Sequence, residues 1–319
     1  MRPSRRNLLA ASAAAMVAPH AWVRPAWAAP RLSYDLVPRR VADGIWMLEG
    51  ATEYFTFENG GNIVNTAFIE TDTGAVIVDT GPSRRYAEEL RKVVTAAVPL
   101  GVAAVINTHH HPDHFLGNQV FADVPVHSLP ETKSLIAEHG DGYADNMYRL
   151  VGDWMRGTEP MPPTDVLTGS DLTIGGRSFA ALALGGHTEA DLVILDRRTG
   201  TAIAGDLAFL DRAPTTPDAD FGRWHASLDQ LESLETSGIV PGHGPFDTGK
   251  QSLAQTRAYL HWLDAAMTGA AEEGLDMVEA MNLPLPPAFA AMGAQPVELE
   301  RSVSHLFGQY ERAALPQVN

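Results

Sequence analysis

Residues 108–114 read Thr-His-His-His-Pro-Asp-His, directly after the apolar stretch 102–107. The stretch is rich in Val, Ala and Ile and reads as a buried strand, which makes the run behind it a strand-end loop. Imidazoles and a carboxylate packed this densely are costly to bury without partners. A rigid scaffold commonly presents working groups on loops of this kind. His109 and His111 stand two apart, and Asp113 and His114 follow after one more residue. A turn can fold such a run so that one pair faces one metal ion and the other pair a second.

Three later residues extend the set. His187 stands in Gly185-Gly186-His187-Thr188, Asp206 in Ala204-Gly205-Asp206, and His243 in Pro241-Gly242-His243-Gly244-Pro245. Each follows an apolar strand at a glycine-bearing turn, where backbone can crowd close to a site. Strand ends collected at one edge of a sheet would bring together His109, His111, Asp113, His114, His187, Asp206 and His243. With no cysteine in the chain, any ion must be held by His and carboxylate, a donor set that suits zinc, with iron or manganese as alternatives. Two zinc ions about 3.5–4 Å apart can share a carboxylate and a hydroxide. The isolated His127, His139, His225, His261 and His305 read as surface or core residues. His110 reads as structural, because alternation turns it away from His109 and His111.

The remainder of the chain reads as strands alternating with helices. Strands are expected at 45–49, 62–70, 75–79, 102–107, 172–174, 178–184, 192–195, 201–204 and 239–240. Ser83 is expected to cap a helix to about residue 97; further helices are expected at 130–156 and 223–234. From Gly249 the chain reads as helical to about residue 314, broken by the Pro-rich 282–288. The expectation is an α/β (α+β layered) domain over 31–250 with a helical C-terminal extension, 251–319, packed on it.

A formal charge of −16 argues against nucleic acid, since phosphate contacts need clustered Lys and Arg. Residues 1–28 read as an export signal. Arg2, Arg5 and Arg6 are followed by the apolar stretch 8–17 and by the cleavage-like Ala26-Trp27-Ala28. Arg5-Arg6-Asn7-Leu8-Leu9 is similar to a twin-arginine motif. A periplasmic location follows as an expectation, with no membrane attachment after the signal is removed.

The ordered set His109-x-His111-x-Asp113-His114, then His187, Asp206 and His243, resembles the metallo-β-lactamase superfamily, and Asp79 matches that superfamily's early aspartate. The resemblance covers roughly residues 40–250 and implies an αββα sandwich with metals at one edge. It implies that His109, His111 and His187 bind one ion, that Asp113, His114 and His243 bind the other, and that Asp206 bridges. Residues 60–68, 79–86 and 114–118 further resemble the quinoprotein relay system zinc metallohydrolases and their SoxH-like relatives. That finer match implies a periplasmic quinoprotein dehydrogenase system as partner.

The expected activity is hydrolysis of a small carbonyl substrate (ester, thioester, lactone or amide) by a metal-bridging hydroxide, with Asp113 orienting the nucleophile and passing on a proton. Iron-dependent persulfide oxidation and a non-catalytic accessory role are the alternatives. His111 stands where redox-active di-iron relatives carry glutamate. Asp206 supplies an aspartate that dedicated β-lactamases usually lack, which leaves β-lactam hydrolysis as a weak side activity. Residues 53–57 are a candidate aromatic flap over the metals, against an ordinary hairpin. Tyr148, Trp154 and Met155 read first as core and second as pocket lining. Trp224 and His225 open a helix with either orientation open.

Overall fold

Strands buried on both faces show near-continuous apolar runs, and such strands belong at the centre of covered sheets. β4 (Gly74–Val78), Gly-Ala-Val-Ile-Val, is buried at every position. In the computed structural model, which describes residues 32–315, it is the middle strand of a seven-stranded sheet. The expected export segment at 1–28 lies outside the described residues. The sheet runs β1 (Arg39–Ala42), β2 (Ile45–Leu48), β3 (Thr66–Thr71), β4, β5 (Val102–Ile106), β6 (Val126–Ser128) and β7 (Asp165–Val166) in spatial order. The first four strands pair antiparallel. From β4 onward the pairing is parallel.

A second, five-stranded sheet contains β8 (Asp171–Ile174), β9 (Arg177–Leu184), β10 (Asp191–Asp196), β11 (Thr201–Phe209) and β12 (Gly238–His243). β8 to β11 form an antiparallel meander, and β12 returns parallel to β11. The two sheets close on one another through Ile69, Val76 and Ile106 on one side and Phe179, Ile194 and Val240 on the other.

Helices cover both outer faces. Ser83 caps α1 (Arg84–Ala97) by accepting from the Tyr86 N–H, which satisfies one of the orphan donors at a helix start. Tyr86, Leu90 and Val94 then pack on Phe68, Ile77 and Val105. On the second sheet, α4 (Phe221–Ser233) and α5 (Gln251–Glu272) place Trp224, Leu228 and Leu260 over Ala204, Leu207 and Ile239. The layers are therefore αββα. α6 (Met277–Met281), α7 (Pro287–Ala290) and α8 (Val297–Ala314) follow, and Leu299, Val303 and Phe307 of α8 pack on Tyr259, Leu263 and Met267 of α5.

Several boundaries differ from the sequence expectation. Residues 62–65 are loop rather than strand, held beside the site by side-chain bonds of Asn65. β6 and β7 are too short to show a period of their own, and β1 (Arg-Arg-Val-Ala) carries no apolar alternation. The helix α3 (Pro130–Val151) ends at Gly152, whose φ of 60° favours glycine, and a short 3₁₀ turn follows. β11 does not stop at Ala204. Gly205 has φ 51° and the register to β12 shifts there, so what reads as a turn is a bulge inside a continuing strand.

Candidate metal centre

β4, β5, β9 and β12 all deliver their C-terminal ends to one edge of the sandwich, and β11 carries its bulge to the same place. Cross-sheet bonds fix this edge. The Leu192 N–H donates to the Thr108 carbonyl (2.8 Å), and the Asn65 N–H to the Gly242 carbonyl (2.8 Å). The Asn65 amide also donates to the Pro241 and Gly244 carbonyls at 2.9 and 2.7 Å. Gly242 has no alternative residue here: a Cβ would lie 1.9 Å from Asp206 Oδ1.

All seven sequence-selected donors meet at this edge, and all are buried. They form two clusters. His109, His111, His187 and Asp206 make one; Asp113, His114 and His243 make the other, with ligating atoms inside each within 4.8 Å of one another. The division of the histidine run comes from α2 (Pro112–Phe115), a single helical turn that starts after His111 and swings Asp113 and His114 away from His109 and His111. Asp206 lies between the clusters. Its Oδ2 is 3.3 Å from both His187 Nε2 and His243 Nε2, and its Oδ1 is 3.2 Å from His114 Nε2. Asp113 Oδ2 is 3.5 Å from His243 Nε2 and 3.7 Å from His114 Nε2.

Outer partners settle which nitrogen of each ring faces inward. His114 Nδ1–H donates to Asp79 Oδ2 (2.8 Å), His187 Nδ1–H to the Thr215 carbonyl (3.0 Å), and His243 Nδ1–H to the Ile63 carbonyl (2.7 Å). The Thr108 hydroxyl donates to Asp79 Oδ2 (2.8 Å) and therefore accepts from His109 Nδ1–H (3.0 Å). His111 is reversed: its Nε2–H donates to Asp218 Oδ2 at 2.9 Å, leaving Nδ1 inward. Such partners orient metal-binding imidazoles and raise their basicity.

The donor set fits divalent cations. Inward-facing His109 Nε2, His114 Nε2 and Asp206 Oδ1 are buried without a hydrogen-bond partner, an expensive condition for a protein that holds nothing there. His187 Nε2 and His111 Nδ1 stand 2.9 Å apart, each presenting a lone pair. Two lone pairs at that distance are favourable only around a positive charge. Burial pushes His109 and His187 well below their ordinary pKa, toward the neutral form that binds metal. At Asp206 burial acts upward, but His243, His114 and His187 outweigh it and hold the carboxyl well below its usual range. At His114 burial acts downward, and Asp206, Asp79 and Asp113 outweigh it, so that ring is shifted well up.

A cavity of about 230 Å³ opens over the clusters, walled among others by Tyr54, Phe55, Ile63, Arg212, Arg301 and His305. Tyr143, Asn146 and Asp218 also wall a wider open groove of about 760 Å³ along α3. The 53–57 segment contributes Tyr54 and Phe55 to the cavity wall, whereas Phe57 lies outside it and is half exposed. Trp154 and Met155 are buried core and Tyr148 is exposed; none of the three walls the cavity. Trp224 is fully buried with its ring 5.1 Å from His187, and His225 stacks on His261. His110 is buried with Nδ1 unpartnered and faces the α3 groove.

Sequence reading missed Asp218, Asp191, Arg212 and Arg301. Asp191 accepts from the N–H groups of His187 and Thr188 and from the Thr188 hydroxyl, which shapes the loop that presents His187; burial pushes its carboxyl up to about 6. Asp191 acts locally, three and four residues from its partners, whereas Asp218, Arg212 and Arg301 reach the site only through the tertiary fold.

Two facing sheets with a buried histidine–aspartate cluster at one edge form a candidate metal centre. The chain belongs to the metallo-β-lactamase superfamily, whose family profile matches residues 59–243. A linear primary-alkylsulfatase from Pseudomonas sp. is 25% identical over 272 residues, 68% of this chain, and the chain spans only 49% of that protein. An acyl-coenzyme A thioesterase from Gallus gallus is 25% identical over 212 residues, 59% of this chain and 74% of the relative. The solved metallo-β-lactamase from Pontibacter korlensis shares the fold, with TM-score 0.58 and 23% identity over 71% of this chain and 99% of its own.

Proposed function

We propose that the protein is a dinuclear zinc hydrolase that cleaves a small ester, thioester, lactone or amide. The observation that carries this reading is the position of Asp206 Oδ2, equidistant at 3.3 Å from His187 and His243, a carboxylate set between two donor clusters. His109, His111 and His187 would hold one ion, Asp113, His114 and His243 the other, with Asp206 common to both. A bound pair of zinc ions supplies a water with pKa near 7 and a Lewis acid for the carbonyl oxygen. The chain's own residues do the rest. Asp79 and Thr108 fix the ring planes of His114 and His109. Asp113 takes a proton from the attacking water and returns it to the leaving atom. Tyr54 and Phe55 narrow the cavity and exclude bulk water from it.

The relatives named as an alkylsulfatase and a thioesterase support ester-type substrates. The export-like segment and the resemblance to the quinoprotein relay hydrolases support a periplasmic place beside quinoprotein alcohol oxidation. Elemental analysis of purified protein, with a hydrolysis screen over thioesters, lactones, esters and a chromogenic β-lactam, tests the reading. Two zinc ions per chain with turnover of at least one class is expected. One iron per chain without hydrolysis would overturn it. Asp113→Asn should lose turnover by about 10²–10⁴-fold, the usual share of a general acid–base group; unchanged turnover removes Asp113 from that role.

A further inference from the structure

Arg301 lies in the helical tail, beyond the segment that matches the superfamily, yet it walls the cavity above the metal-site donors together with His305, one turn further along α8. Its position is built. Arg301 Nη1 donates to Glu298 Oε1 and Oε2 at 3.2 and 3.0 Å, and its guanidinium lies 5.2 Å from the Tyr54 ring centroid. Glu298 is fully buried and is shared: Arg212 Nη2 donates to the same carboxylate at 3.0 Å, and the Thr215 hydroxyl at 2.9 Å. One carboxylate set against two guanidinium ions leaves a surplus positive charge. Arg212 is buried and spends its remaining donors on the Glu53 and Ala213 carbonyls and the Thr215 hydroxyl. The surplus is therefore presented by Arg301, whose side chain is 29% exposed. Among the described residues its Nε and Nη2 have no protein acceptor. Those two groups form the side of the guanidinium that grips a carboxylate through two parallel hydrogen bonds.

We propose that Arg301 is a specificity-determining binding residue, and that the substrate carries a carboxylate a few bonds from the scissile carbonyl. The proposal rests on the hydrolase reading above. Tyr54 holds the guanidinium plane, Glu298 fixes its far edge, and the free edge meets the carboxylate while the carbonyl lies over the donor clusters.

The test compares zinc-loaded wild type, Arg301→Gln and Arg301→Lys on p-nitrophenyl hydrogen adipate and on p-nitrophenyl hexanoate, an uncharged ester of equal acyl length. Wild type should favour the charged ester. Arg301→Gln should reduce the charged-to-neutral ratio of kcat/KM by about 10- to 100-fold, the range for one hydrogen-bonded charge, and Arg301→Lys should restore part of it. Metal content and melting temperature of each variant are measured alongside; Glu298 keeps Arg212 and Thr215 as donors, so the fold should hold. No wild-type preference, or an unchanged ratio in Arg301→Gln, overturns the proposal while leaving the hydrolase reading intact. Should neither ester turn over, the hydrolase reading is decided by the wider screen above. Calorimetric binding of adipate monoamide against hexanamide then decides the role of Arg301: tighter binding of the charged amide that Arg301→Gln abolishes supports it, and equal binding rejects it.

Discussion

The two ends of the sandwich bury polar groups in opposite ways. At one end Arg177 enters between the sheets with its side chain 3% exposed. Its Nε and Nη2 donate to Asp196 Oδ1 and Oδ2 at 2.7 and 2.9 Å. Its remaining donors reach the Glu70 and Asp43 carbonyls at 2.9 and 3.1 Å. Thr199 completes Asp196. At the other end seven donors converge and three of their inward atoms have no partner. The first cluster is closed by protein alone and acts as a clamp. The second is complete only around cations. Both are buried, so burial itself does not distinguish structure from function; the count of unsatisfied atoms does.

Substitutions should separate the ends. Asp206→Ala removes the carboxylate common to both donor clusters. It should lower kcat/KM by at least about 10³-fold, matching several kcal/mol of metal-ion catalysis, and reduce bound metal by elemental analysis. Arg177→Ala should do the reverse. Leaving Asp196 buried and unpaired should cost about 3–5 kcal/mol of unfolding free energy by denaturant titration, with metal content and kcat/KM of the folded fraction unchanged. If Arg177→Ala also released metal, the two ends would be coupled and the comparison would break.

Within the metal end the same contrast recurs at smaller scale. Asp79 is buried and serves His114 directly and His109 through Thr108. Asp218, whose side chain is 50% exposed, serves His111 alone. Outer-partner losses typically weaken metal affinity by about 10–100-fold. Asp79→Asn should fall at the upper end of that range and Asp218→Asn at the lower, measured by competition with a chelator. Equal losses would show that burial of the partner does not matter.

What could be read from sequence follows the same division. The seven donors were legible because each follows an apolar run at a His- or Gly-marked position, a local pattern that holds even for Asp206, which the fold places on a bulge within β11. Strands buried on both faces, such as β4 and β5, were legible for the same reason. β6 and β7, of three and two residues, are too short to show alternation, and β1 (Arg-Arg-Val-Ala) shows none; each is held by hydrogen bonds from its neighbour in the sheet. The bulge at Gly205 read as a strand end because glycine before a polar residue looks like a turn until the pairing with β12 is seen. Asp218 stands 107 residues from His111, Arg301 lies in the tail, and only the folded chain brings either to the site.

The smallest expected effect concerns protons. In the metal-free protein burial disfavours the charged His114 ring, but Asp206, Asp79 and Asp113 outweigh it and raise its pKa well above the ordinary 6.5. A raised folded value means that the charged ring stabilises the fold fully below about 6.5 and that this contribution is lost as pH rises through the folded value. Chelated protein should therefore melt lower at alkaline pH than near pH 6, and the metal-loaded protein should show no such fall, because metal binding requires the neutral ring. Zinc uptake near pH 7 should accordingly release about one proton from His114, read by calorimetry in buffers of different ionisation enthalpy. Release should persist in Arg177→Ala, which leaves the metal end intact, and fall in Asp79→Asn, where one of the carboxylates that hold the proton is gone. Equal release from both variants would place the proton elsewhere and remove His114 from that account.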